Sequence, residues 1–166
     1  MKIKLILLVT LTIFSTTVCH AQNDKMYNAL HKAIKLNDKA FYSDEFYEKA
    51  HAFSINIGVN NKGIVDTVII SKKDDKELNK LFDFKTIINK IQMDKLNFIG
   101  YKNELLALVV MVFRGDDYFL KINNGDQLIS EWLAISSTTS KNEKMKRKQI
   151  FLSPIVIESR GKPIKN

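Results

Sequence analysis

Phe53, Ile55, Ile57 and Val59 alternate with Ser54, Asn56 and Gly58. This period of two puts the four apolar side chains on one face of a strand. Asn60-Asn61-Lys62-Gly63 follows and predicts a hairpin loop, because Asn and Gly tolerate the positive φ that a tight connection needs. The returning run Ile64–Ile70 is β-branched almost throughout, which suits a pleated, packed surface. Its phase slips: Val65 stands three residues before Val68, which then alternates with Ile70. A bulge near Asp66 reconciles the two phases. A hairpin alone is marginal in water, so further elements must cover its apolar face.

On the amino-terminal side, Tyr27, Leu30, Ala33 or Ile34, and Phe41 sit at helical spacing, predicting an amphipathic helix over Asp24–Tyr42 capped by Asn23 or Asp24. Asn37-Asp38 is a candidate interruption, and Ser43-Asp44-Glu45 a cap for a second short helix, Glu45–Ala50. After the hairpin, Asp74 or Asp75 can cap a helix over Glu77–Gln92. Its stripe of Leu78, Leu81, Phe82, Phe84, Ile87, Ile88 and Ile91 suits packing on the hairpin, with a restart at Asp83. Asp94–Glu104 is irregular. Leu105–Phe113 is nine apolar residues in a row, too short to span a membrane as a helix and expected as a strand buried on both faces.

Beyond it, Arg114-Gly115-Asp116 reads as a turn, and Tyr118–Ile122 as a short strand. Trp132 falls in a segment, Leu128–Ile135, expected to cover the core. Residues 136–149 are charged and aperiodic, an exposed basic loop. Ile150–Ile157 is the last strand; Pro154 lacks an N–H donor and puts it at an edge or a bulge. Ser159–Asn166 is a polar tail. The fold class is therefore α+β: a small, mostly antiparallel sheet of three to four strands, with one main helix and an amino-terminal helix packed on it.

The first 21 residues change the picture of where this domain works. Lys2 and Lys4 precede the apolar run Leu5–Phe14, and Cys19 and Ala21 stand at the −3 and −1 positions of a signal peptidase site. Cleavage is expected after Ala21, giving a periplasmic or secreted protein. A lipidated Cys19 is disfavoured because Thr16-Thr17-Val18 lacks the usual preceding residues. The apolar run is short for an uncleaved anchor. Residues 22–166 then form one domain. The single cysteine leaves with the signal segment, so no disulfide or thiol chemistry is expected. The net charge of +8 falls to +6 once the two lysines of residues 1–21 are set aside. That balance suits a soluble surface, or attraction to an anionic lipid, polysaccharide or acidic partner.

Candidate chemistry is sparse. His31 and His51 lack neighbours at metal-ligand spacing. The carboxylate pairs Asp74/Asp75 and Asp116/Asp117 lie in predicted turns, where both are solvated. The glycines form no phosphate loop, and no nucleophile elbow or zinc-binding helix is present. The basic residues near Lys146 have no interleaved aromatics, which argues against nucleic acid. Catalytic, cofactor and metal residues are expected to be none. Arg114-Gly115-Asp116 also matches the tripeptide that integrins read, a match of low specificity.

One resemblance is carried by specific residues. Phe53-x-Ile55-x-Ile57, Asn61-Lys62-Gly63, Val65-x-x-Val68-x-Ile70 and a helix opening at Glu77-Leu78 resemble the carboxy-terminal domain of TonB-type energy transducers over residues 52–113. Leu105–Phe113 would be that family's further strand. Gly63, Val65, Val68 and Ile70 match at structural positions, none of them catalytic. The resemblance implies a fold and a habit of binding protein partners by adding a strand to a sheet edge. It does not imply transduction: the chain has two prolines, Pro154 and Pro163, and no proline-rich spacer. The expected function is a non-enzymatic protein-interaction module of the bacterial envelope, offering an edge such as Phe151–Glu158. A secreted host- or glycan-interacting factor and a hydrolase without a recognisable motif are the rivals.

Overall fold

A computed structural model describes residues 24–115 and 147–160. The expected signal peptide, Asp116/Asp117, the Tyr118–Ile122 strand, the Trp132 segment and most of the basic loop lie outside the described residues. The described residues open with helix α1 (24–33), then a one-turn α2 (Asp38–Phe41) and a 3-10 turn at Asp44–Phe46. Strands β1 (Lys49–Val59) and β2 (Val65–Ile70) form the hairpin. Helices α3 (Lys76–Leu81) and α4 (Phe84–Met93) follow, then β3 (Glu104–Gly115), β4 (Lys148–Phe151) and β5 (Ile155–Arg160).

The sheet order is β2-β1-β3, with β4 and β5 both beside β3 on its other side. β1 is antiparallel to β2 and β3, whereas β4 and β5 run parallel to β3. This is the expected α+β fold with a mostly antiparallel sheet. The predicted bulge is present: Gly58 faces Thr67 and Val59 faces Val65, leaving Asp66 as the extra residue. The hairpin loop forms as its residues require. Asn60 Oδ1 accepts from Lys62 N and Ile64 N, and Gly63 takes φ +79°.

Several boundaries differ from expectation. The helix expected over Glu45–Ala50 is only the 3-10 turn, because Lys49, Ala50 and His51 pair with Arg114, Phe113 and Val112 of β3. The amino-terminal helix breaks after Ala33, where Leu36 bridges to Phe82 and Asn37 caps α2. The helix expected over Glu77–Gln92 does restart at Asp83, as expected, and so forms two helices. Asp75 accepts from Glu77 N and Leu78 N to start the first, and Asp83 accepts from Thr86 N to start the second. The expected turn at Arg114-Gly115 is strand, since β3 runs through Gly115. The last ribbon, read as one strand, is two. β4 pairs with β3 at Ala107↔Phe151 and β5 resumes at Val110↔Ile155, so the edge carries one residue more than its partner. Pro154 stands at that insertion, where no ladder donor is needed. Lys148 and Gln149, expected in the loop, and Ser159 and Arg160, expected in the tail, are strand residues.

The helices share one face of the sheet. Phe53 is fully buried between Phe82 and Phe84, with ring centroids at 5.2 and 5.1 Å in edge-to-face geometry. Met26, Leu30 and Ile34 join this core with Ile55, Ile57, Ile87, Ile91, Leu106 and Leu108. Burying each such side chain stabilises the fold by about 1.5–3 kcal/mol. β3 is central, as its unbroken apolar run requires: its even positions enter this core, while Ala107 and Val109 are buried on the opposite face.

Candidate interaction surfaces

The two sheet edges differ in what they offer a partner. On one side, Ser153 N donates to Tyr27 Oη at 2.6 Å, so the inserted residue between β4 and β5 is tied to α1. The expected docking ribbon Phe151–Glu158 is therefore interrupted at Leu152–Pro154, before β5. On the other side lies β2, whose sheet neighbour among the described residues is β1 alone. Ser71 N donates to Ser54 O, and the register then turns the N–H and C=O of Val68 and Ile70 away from β1. Five of the six β2 residues are Val, Thr or Ile; the sixth is Asp66.

Arg147 neutralises that one charge. Its Nη1 and Nη2 donate to Asp66 Oδ1 and Oδ2 at 2.8 and 2.5 Å, a two-pronged pair. The hydrogen bond from Arg147 holds the Asp66 carboxyl below the usual carboxylate range. The guanidinium crosses β1 at Gly58, where a Cβ would overlap Arg147 Nη1. No sequence signal joined residues 81 positions apart; only the missing side chain of Gly58 hinted at close approach.

His51 lies at the margin of the core, its ring 5.8 Å from that of Phe46 and its Nε2 3.8 Å from Glu77 Oε2. Glu77 is engaged by Lys49 Nζ at 2.7 Å. Burial lowers the His51 pKa; Glu77 and Asp75 oppose that, and Lys49 and Lys72 reinforce it. A base whose folded pKa is depressed binds fewer protons folded than unfolded, so stability declines as pH falls below the ordinary histidine value of about 6.5. Melting temperatures at pH 7.5 and 5.5 should show this decline, and His51→Gln should shrink it.

The other candidates stand apart. His31 is exposed on α1. Asp75 is a helix cap, and Asp74 beside it is exposed. Arg114 is buried rather than displayed, at 3 % exposure, so the tripeptide's arginine faces the interior. Among the described residues, no three His, Cys, Asp or Glu side chains gather to hold a metal ion, and no helix is long and apolar enough to cross a membrane. Open grooves are present among the described residues. One of about 440 Å³ lies at the α3–α4 junction beside Phe82 and Asp83; another of about 490 Å³ lies between α1 and α4, lined by Lys25, Lys32 and Lys90. Comparison with protein-family models, with curated proteins and with solved structures returns no match.

Proposed function

We propose that this is an exported, non-enzymatic module of the bacterial envelope that binds a protein partner by strand addition, with β2 as the edge used. The observation that carries the reading is the chemistry of β2. Exposed edges are usually blunted by charge, proline or covering elements. β2 instead offers an almost uninterrupted β-branched ribbon whose single acid is already paired with Arg147. The interrupted β4–β5 ribbon suits a partner strand less well. The resemblance of residues 52–113 to TonB carboxy-terminal domains supports the binding mode, and the signal-like residues 1–21 support a periplasmic or secreted location. The burial of Arg114 counts against an adhesive, host-directed factor.

Val68→Pro removes one outward N–H without breaking a bond to β1. Affinity capture from envelope extract should recover one partner with the wild-type chain and lose it with this variant, while the melting temperature shifts by only a few degrees. Equal capture by both chains would overturn the assignment to β2. Export itself predicts an envelope protein whose amino terminus is Gln22.

A further inference from the structure

Between α4 and β3 the chain runs through a loop, 94–103, whose shape is set from within. Asp94 Oδ1 accepts from Leu96 N and Asn97 N at 3.2 and 3.0 Å, and Asn97 Nδ2 donates to Asp94 Oδ2 at 2.7 Å. Phe98 is sunk in the core at 1 % exposure, and Tyr101 N donates to Phe98 O. Asn103 N donates to Asn60 O, tying the loop to the hairpin. Ile99 lies directly on Gly63: a Cβ at Gly63 would fall 2.9 Å from Ile99 Cα.

In and beside this anchored loop, large apolar side chains stand in solvent. Met93 is 78 % and Leu96 79 % exposed, with Ile99 at 47 % and Ile64 at 40 %. A buried Phe98 flanked by solvated Leu96 and Ile99 is not what core packing alone produces. Lys62, Lys95 and Lys102 are exposed in the same two loops. Lys90 lies one turn before Met93 and lines the α1–α4 groove with Lys25, Lys32 and Asp94. The acids of the stretch are Asp94, whose oxygens already accept from Leu96 and Asn97, and the half-buried Glu104.

We infer that this end of the protein docks on the surface of an anionic phospholipid bilayer. Leu96 and Met93 enter the headgroup boundary, with Ile99 and Ile64 behind them, and the lysines reach the lipid phosphates. Protruding apolar side chains in loops that also carry exposed lysines match the two parts of such an interface, an apolar boundary under a negative surface. The inference is independent of strand addition at β2.

The test is cosedimentation of the protein, purified as its host cell processes it, with vesicles of phosphatidylglycerol and phosphatidylcholine or of phosphatidylcholine alone. Binding to the anionic vesicles is expected, falling steeply with salt. Leu96→Glu should weaken it by more than about tenfold through loss of apolar burial and added repulsion. Lys95→Gln should weaken it by about fivefold. Both side chains are exposed, so the melting temperature should stay unchanged, and Val68→Pro should leave vesicle binding intact. No binding at low salt, or equal binding to both vesicle types, would overturn the inference. So would a wild-type dimer that Leu96→Glu dissociates, since the patch would then be a protein interface.

Discussion

Arg114→Ala should destabilise the fold by about 3–5 kcal/mol, combining lost charge-assisted hydrogen bonds, lost ring contacts and the Phe41 carbonyl left without its donor, whereas Ser43 O keeps its bond from Phe46 N. Arg114 Nη1 donates to Phe41 O at 3.1 Å and to Ser43 O at 2.8 Å. Its guanidinium also lies 5.4 Å from the Tyr42 ring centroid and 5.6 Å from that of Tyr47. One side chain on β3 thus holds the C-terminal end of α2, the residue that leads into the 3-10 turn and both flanking tyrosines. Arg114→Lys should recover only part of the loss, because an ammonium has neither the planar fork nor the stacking face. Urea unfolding of the three chains measures this; a midpoint for Arg114→Ala within error of the wild type would refute the role. The same burial gives a corollary: the intact protein should show no integrin-dependent cell attachment, whatever a free Arg-Gly-Asp peptide does.

Gly63→Val should cost about 3 kcal/mol, of which about 1–2 kcal/mol is the left-handed backbone conformation and the rest steric. Gly63 holds φ +79°, and an added Cβ would meet Ile99 Cγ1, Cα and O at 2.8, 2.9 and 3.0 Å. Two of those atoms are backbone, so trimming Ile99 to alanine should not restore the loss. The strain has to pass into the 94–103 loop, whose position against the hairpin depends on that contact. Thermal unfolding should report the destabilisation, and vesicle binding should weaken with it. A variant that melts and binds like the wild type would sink both the strain argument and the coupling of the two loops.

Much of the hairpin was legible in the chain. Alternation over Phe53–Val59, the Asn60–Gly63 bend and the slipped phase at Asp66 each demanded a local geometry that the fold adopts. These signals survive because strand period and turn chemistry act between near neighbours. Asp75 and Asp83 were readable as caps for the same reason. The candidate surfaces were far less legible. Leu96 and Ile99 look like ordinary apolar residues in an irregular stretch until Phe98 is seen to take the buried place between them. Arg114 looked like a turn residue because polar residues after an apolar run normally mark its end. Its backbone stays in the strand by pairing with Lys49 and Ser159, and its side chain is held by the carbonyls of Phe41 and Ser43, more than 70 positions away.

The sequence by itself determined the α+β class, the hairpin with its bulge and bend, and the central place of Leu105–Phe113. Periodicity and unbroken hydrophobicity act over a few residues and tolerate few alternatives. Only the tertiary structure decided the parallel placement of the split last ribbon, the reach of Arg147 across Gly58 to Asp66, and the burial of Arg114. Each depends on groups brought together from distant parts of the chain, where charge, space and carbonyl acceptors select a partner that no local pattern encodes.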